Sequence, residues 1–303
     1  MTSQVAFLTP SFYGDYDHCY LLVESLEKFV IGDYEHFIVV DRADYPLFRG
    51  LESSRTKVLL KEDFLPAWVL PIRIPLPQKD RYFRPSLKSL PLRGWAVQQL
   101  VKLQVCAGLS HEHAILVDSD VFLAKTFRLD DFVQDGLSPL YAKSGVIDKS
   151  MPTHLAWLKT AAQVLGVESP AYPGDDFVTP CNFWRPEVVR EMRSSIERRA
   201  GHDWMTVVAR NWNFCEPVVY GSFVQSRGFE ACGHRLVDSP LCYSFWDQRA
   251  VEQGELEAFL DAMPAESIAV NIQSKTKLPK DAYRNLVNGI IAAAGDEEPP
   301  LRS

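Results

Sequence analysis

Short apolar runs without helical period alternate with longer stretches that have it. Val5-Ala6-Phe7-Leu8 reads as a buried strand, because four apolar residues follow one another with no spacing of 3.6. From Tyr16 to Val30, the apolar positions Tyr20, Leu21, Val23, Leu26, Phe29 and Val30 fit an amphipathic helix, with Asp15 or Asp17 as its cap. His36 to Val40 predicts a second strand, ending in Asp41, and Thr56 to Leu60 a third. Gly94 to Gly108 predicts a helix closed by glycine, and Ala114 to Val117 another buried strand. Farther on, Thr153 to Gly166, Pro186 to Ala200 and Asp281 to Ala294 have the pattern of helices, while Phe127 to Phe132 and Pro139 to Ser144 read as continuations of a mixed sheet. Strand, loop, helix, strand with a polar residue at each strand end is the opening of a parallel nucleotide-binding sheet. The expected fold is therefore α/β, a mixed and mostly parallel central sheet flanked by helices.

Length and composition narrow the class. A chain of 303 residues with 47% hydrophobic content has enough apolar side chain for a full core. Six cysteines, Cys19, Cys106, Cys181, Cys215, Cys232 and Cys242, show no Cys-x-x-Cys spacing, which argues against zinc and for free buried thiols in a reducing compartment. A net charge of −7 gives no bulk electrostatic support for nucleic-acid binding. No window approaches the length of a membrane span and the first residues lack a signal-peptide pattern, so a cytoplasmic protein is expected, either free or peripheral to a membrane.

Chemistry concentrates in three places. Residues 64–93 hold Arg73, Lys79, Arg81, Arg84, Lys88 and Arg93 against the single acid Asp80, six charges less one, in a segment too proline-rich for a continuous element. That segment is either a solvated face or a basic flap toward a phosphate or an anionic membrane surface. Trp95, Gln98, Gln99 and Lys102 occupy i, i+3, i+4 and i+7, one helical stripe able to set an ammonium beside a diphosphate. Asp118 and Asp120 then follow the buried strand at its carboxyl end, where α/β sheets bind ligands. Extended backbone would point both to one face, and a turn beginning at Ser119 would splay them around one point. Either suits a hard cation such as Mn²⁺ or Mg²⁺, which takes oxygen ligands and leaves positions for water and substrate phosphates. Asp41 and Asp44 read equally as a helix start near Tyr45 or as ligand contacts.

Gly94-Trp95-x-x-Gln98-Gln99-x-x-Lys102-Leu103 followed by Ile115-Leu116-Val117-Asp118-Ser119-Asp120-Val121-Phe122 resembles bacterial nucleotide-sugar-dependent glycosyltransferases of the GT-A fold. The resemblance is to a branch in which a tryptophan, two glutamines and a lysine precede the Asp-x-Asp motif. It runs from Val5 to about Leu286 and implies one domain over 1–294, with a nucleotide-sugar half at 1–123, an acceptor half at 124–294 and a disordered tail at 295–303. It also implies that Thr9, Pro10, Ser11, Tyr13 and Asp41 line the nucleoside pocket and that Asp118 and Asp120 approach the metal. Trp95, Gln98, Gln99, Lys102 and Ser119 complete the expected donor-binding set.

Two later stretches supply the acceptor half. Tyr172 to Trp184 mixes carboxylates, an amide and aromatics, the groups that bind sugars, so Asp175, Asn182 and Trp184 are candidate acceptor contacts, with a turn joining a core strand as the equal alternative. Asn211 to Phe223 matches the same branch through Glu216 and Tyr220-Gly221, though Cys215 stands where that branch is expected to have serine. Tyr220 joins the acceptor set. Glu216, among Trp212, Phe214, Pro217 and Tyr220, has the apolar company that favours a general base, with Asp176 as the substitute and a helix-start carboxylate as the structural alternative. The resemblance also implies a late metal ligand from the carboxyl-terminal part, His234 or Asn271, with a structural role for each as the alternative.

The resemblance implies transfer of a sugar from a nucleoside-diphosphate sugar, a UDP-sugar before others, to a hydroxyl of a glycan or lipid-linked acceptor, as in bacterial surface polysaccharide or glycolipid synthesis. Whether the anomeric centre inverts is left open. One rival is a sugar nucleotidyltransferase, which normally carries a glycine-rich basic loop after the first strand; here Thr9-Pro10-Ser11 has one glycine nearby and no lysine before Lys28. The other is a non-catalytic sugar-binding module, which would bind without turnover.

Overall fold

The computed structural model describes residues 4–75, 82–168, 171–245, 253–273, 276 and 278–293. Lys79, Asp80 and Arg81 of the basic segment, Lys275 and the 295–303 tail lie outside the described residues.

Five strands form the central sheet: β1 (Val5–Pro10), β2 (Tyr34–Val40), β3 (Thr56–Leu60), β4 (His113–Val117) and, after β5 (Val121–Leu123) of another sheet, β6 (Cys181–Trp184). Their spatial order is β3-β2-β1-β4-β6, with the first four parallel and β6 antiparallel to β4. The sheet is mixed and mostly parallel, and its strands are apolar on both faces because helices cover both. α1 (Tyr16–Phe29) connects β1 to β2, while α2 (Gly94–Gly108) precedes β4 and packs against β1. The strand order reverses between β1 and β4. Such a point opens a crevice at the carboxyl ends of the strands, and here it places residues 9–15 opposite residues 118–120.

Beyond the sheet, α3 (Pro152–Leu165), α4 (Pro186–Ala200) and α5 (Glu216–Arg227) pack together and against α2. The largest apolar cluster runs from Ala6 to Cys232, so the two predicted halves share one core. β5 (Val121–Leu123), β7 (Cys242–Phe245) and β8 (Ala269–Ile272) form a separate three-stranded sheet, with β8 antiparallel to β5 and parallel to β7. α6 (Lys280–Ala293) covers it, as its amphipathic pattern predicts.

The local readings differ from the structure at three points. Phe127–Arg128 pairs with Val30–Ile31, and Ser138–Tyr141 pairs with His234–Val237, so these segments build satellite ribbons and do not extend the main sheet. The added fifth strand is β6, whose four residues are too few to show a period. All six cysteines are buried and free, as expected. Among the described residues no helix is long and apolar enough to cross a membrane.

Candidate functional site

The aspartates stand in a turn. β4 ends at Val117, the Asp118 amide donates to Pro180 O at 3.0 Å, and the Val121 amide returns to Asp118 O at 3.1 Å. Both carboxylates stay partly exposed while Ser119 between them is buried. Of the two geometries open to the sequence, the splayed turn is the one adopted.

Each aspartate meets a partner from a distant element. Lys102 Nζ donates to Asp118 Oδ1 at 2.8 Å and to Glu216 Oε1 at 3.1 Å, so one buried ammonium joins the turn to the start of α5. Burial lowers the lysine's proton affinity, yet the Asp118 and Glu216 carboxylates outweigh it and hold Lys102 above the usual lysine range. Asp120 is reached from β8. Asn271 pairs with Val121 across the strands, one residue on, and its Nδ2 donates to Asp120 Oδ1 at 2.9 Å and to Asp120 O at 3.1 Å. The other end of that amide, Oδ1, is buried and has no hydrogen-bond partner among the described residues. His234, the alternative third ligand, is spent in the core: it is fully buried between Tyr220 Oη at 2.7 Å and Ser138 O at 3.3 Å.

A third carboxylate faces the turn. Ser119 Oγ donates to Asp15 Oδ2 at 3.3 Å. Burial pushes the Asp15 carboxyl up to about 6, the Ser119 hydroxyl opposes that, and the Asp118 charge adds to it. Sequence reasoning took Asp15 for a helix cap; it is the N-cap residue of α1 but makes no side-chain capping bond. Its signal was its place in the loop after the first strand, facing the switch point.

α5 begins on Glu216, with Pro217 behind it, a sequence suited to a first helical turn. The Glu216 amide donates to Gln99 Oε1 at 2.9 Å, which satisfies one of the orphan amides of that turn. The helix-start reading therefore holds, and the glutamate is buried as well. Apolar burial is present as predicted, but the carboxylate is compensated by Lys102. Gln99, expected to face the donor, is a buried cap, while Gln98 is half-buried and Trp95 exposed beside Trp157 at 6.0 Å. Asp176 accepts from the Val178 amide at 3.0 Å, and burial raises its pKa.

The predicted nucleoside loop divides. Thr9 and Pro10 are buried, with Thr9 Oγ1 2.9 Å from His36 Nε2. Ser11 Oγ is buried without a partner and Tyr13 is exposed. Asp41 lies in a buried ionic network: Lys61 Nζ at 3.3 Å, Tyr82 Oη at 2.8 Å and Arg84 Nη2 all reach it, and Arg73 grips Asp44 through two bonds of 2.9 and 3.0 Å. Arg84 also pairs with Glu62 at 2.9 Å, so three cations meet three anions. The basic segment thus turns Arg73 and Arg84 inward. Of its remaining described cations, Lys88 stands 3.5 Å from Asp203 and Arg93 lies 3.6 Å over the Trp212 ring.

The acceptor set is the part the structure corrects. Trp184 and Tyr220 are fully buried and stacked at 4.5 Å, with the tyrosine hydroxyl accepting from the Arg185 amide, so neither offers a face to a sugar. Gly221 has a packing reason, since a Cβ there would stand 2.2 Å from Phe177 Cδ1. Asn182 is buried and donates to Thr179 O at 2.5 Å, and Asp175 accepts from Gly145 N at 2.9 Å and Gln225 Nε2 at 2.6 Å. What is open near Glu216 is a cleft lined by Trp95, Gln99, Arg93, Arg210 and Trp212, a surface the sequence reading did not assemble.

No group of three His, Cys, Asp or Glu side chains in a metal-binding arrangement occurs among the described residues. Two partly exposed carboxylates and an amide oxygen nonetheless offer the kind of oxygen donors that Mg²⁺ or Mn²⁺ takes. No curated protein matches the sequence. Residues 7–290 match the model of the Family of unknown function (DUF6492), and with so much of its length covered the chain belongs to that family.

Proposed function

We propose that the protein is a metal-dependent glycosyltransferase of GT-A type that moves a sugar from a nucleoside-diphosphate sugar, a UDP-sugar before others, to a hydroxyl of a glycan or lipid-linked acceptor. The observation that carries this reading is the pair Asp118 and Asp120 on one turn at the switch point, with the Asp118 charge felt by Asp15 and with Asn271, whose Oδ1 has no hydrogen-bond partner among the described residues, bound to Asp120. Negative charge held together in this way is relieved by a cation. Asp118 and Asp120 would hold Mn²⁺ or Mg²⁺, with Asn271 as neutral partner. When bound, the cation supplies positive charge against the departing diphosphate.

The chain's own residues do the rest. Lys102 orients Asp118 and Glu216 together, so donor and acceptor sides of the crevice keep a fixed relation. Glu216 or Asp176 takes the proton of the attacking hydroxyl, and burial already moves Asp176 toward the range a base needs near neutral pH.

The test is a thermal-shift screen of UDP, GDP, CMP and dTDP and their sugars, with and without Mn²⁺, on wild type and Asp120→Ala. A ligand at 100 times its Kd adds roughly 2.7 kcal/mol, several degrees in Tm. The expected result is one nucleotide class that stabilises only with metal, an effect the variant loses, together with nucleoside diphosphate release that depends on acceptor. Pyrophosphate release would instead indicate a nucleotidyltransferase, and binding without turnover a sugar-binding module.

A further inference from the structure

The cleft that opens beside Glu216 has a composition of its own. Trp95 and Trp212 are both exposed, at 38% and 58%, although indoles are ordinarily covered. Arg93 lies across the Trp212 ring at 3.6 Å, and Arg210, whose Nε donates to Lys88 O at 3.0 Å, lines the same cleft. Among the described residues none of the lining side chains is acidic. In a chain of net charge −7, a lining that carries Arg210 beside Arg93 and, among the described residues, no acidic side chain favours an anion.

Size and floor limit the occupant. The cleft measures about 150 Å³, below the ~300–1,000 Å³ that encloses a drug-sized ligand, so it takes one ring of a larger molecule lying on the surface. Its floor includes Gln99, the side chain that accepts from the Glu216 amide. Anything seated there is one side chain away from the candidate base.

We propose that this cleft is an acceptor subsite for an acidic pyranose, with the indoles against the ring's C–H faces and Arg93 and Arg210 on its carboxylate or phosphate. The word acceptor rests on the glycosyltransferase reading; the binding does not.

Tryptophan fluorescence tests the binding without any donor. The probes are a tetrasaccharide of alternating glucuronate and N-acetylglucosamine, the neutral chitotetraose, and glucose 6-phosphate. The acidic tetrasaccharide is expected to bind about tenfold or more tightly than the neutral one, with an advantage that shrinks in salt. Arg93→Gln with Arg210→Gln should erase that advantage, and Trp212→Ala, at an exposed position that the fold does not need, should remove the signal and the affinity. Binding of glucose 6-phosphate in place of the uronate would identify phosphate as the anion and support the proposal equally. Equal affinity for the neutral sugar, no binding of either acidic probe, or unchanged binding by Trp212→Ala would overturn it.

The same preparations are screened with nucleotide sugars and Mn²⁺. Acidic-glycan binding without any donor response removes the transferase reading and leaves the cleft as an acidic-sugar site. A donor response lost in Asp120→Ala, without acidic-glycan binding, removes the subsite and leaves the transferase.

Discussion

Lys102 is the residue on which the two halves of the site depend. Its ammonium is buried against the Glu216 carboxylate at 3.1 Å, deep enough that neither charge is well solvated. A buried pair of this kind adds little net stability, but removing one member strands the other at a cost of roughly 3–5 kcal/mol. Lys102→Met should therefore destabilise by about that amount in urea unfolding, whereas Lys102→Met with Glu216→Gln should recover much of it. Additive losses in the double variant would show that Lys102 does not compensate Glu216. The two candidate bases separate in kinetics. If the hydroxyl proton goes to Glu216, Glu216→Gln lowers kcat by about 10² or more with KM nearly unchanged, and Asp176→Asn does not; the reverse result assigns the role to Asp176. Loss of neither activity would leave both without a part in proton transfer.

At the scale of elements, α5 shows packing overruling propensity. Alanine in place of a helical glycine ordinarily gains up to ~1 kcal/mol. At Gly221 the new methyl would stand 2.2 Å from Phe177, and overpacking of a close-packed contact costs about 1–3 kcal/mol. Gly221→Ala should thus lower Tm, and by displacing Phe177 it should disturb its neighbour Asp176; a raised Tm would mean that the contact is loose. The same helix shows what the sequence could reveal. Tyr220-Gly221 stood out, yet an aromatic beside a glycine looks alike whether it backs a core or a sugar, and only the stacking on Trp184 decides. The stripe ending in Lys102 was legible because four and seven residues set one helical face. Of its two partners, Asp118 lies 16 residues on, but Glu216 lies 114 residues away and left no local trace. β1 to β4 were readable from uninterrupted apolar runs; the flap's pairing of Arg84 with Asp41, across 43 residues, was not.

Across the whole molecule, the buried histidines set the response to acid. His36 is fully buried, and burial depresses its pKa from 6.5 to about 3. Burial likewise depresses His234 to about 4, opposed by its bond to the Ser138 carbonyl. That carbonyl requires a proton on Nδ1, which leaves Nε2 to accept from the Tyr220 hydroxyl; a second proton would break the contact. The unfolded chain binds protons below pH 6.5 that the folded chain refuses, so stability is complete above that pH and falls as pH drops toward 4. Each histidine contributes a slope of up to about 1.4 kcal/mol per pH unit. Asp15 works the other way, because its raised pKa, about 6 against 3.8, makes the folded state bind the extra proton between those values. Burial depresses His18 and His113 as well and raises Asp176 as it does Asp15, so four histidines against two carboxyls leave a net loss on acidification. The urea midpoint should therefore decline from pH 6.5 to 4.5, and His36→Gln, which removes one of these slopes, should flatten the decline. A midpoint constant over that range would mean that the folded protein can take up these protons in place, and that the core around His36 and His234 admits water.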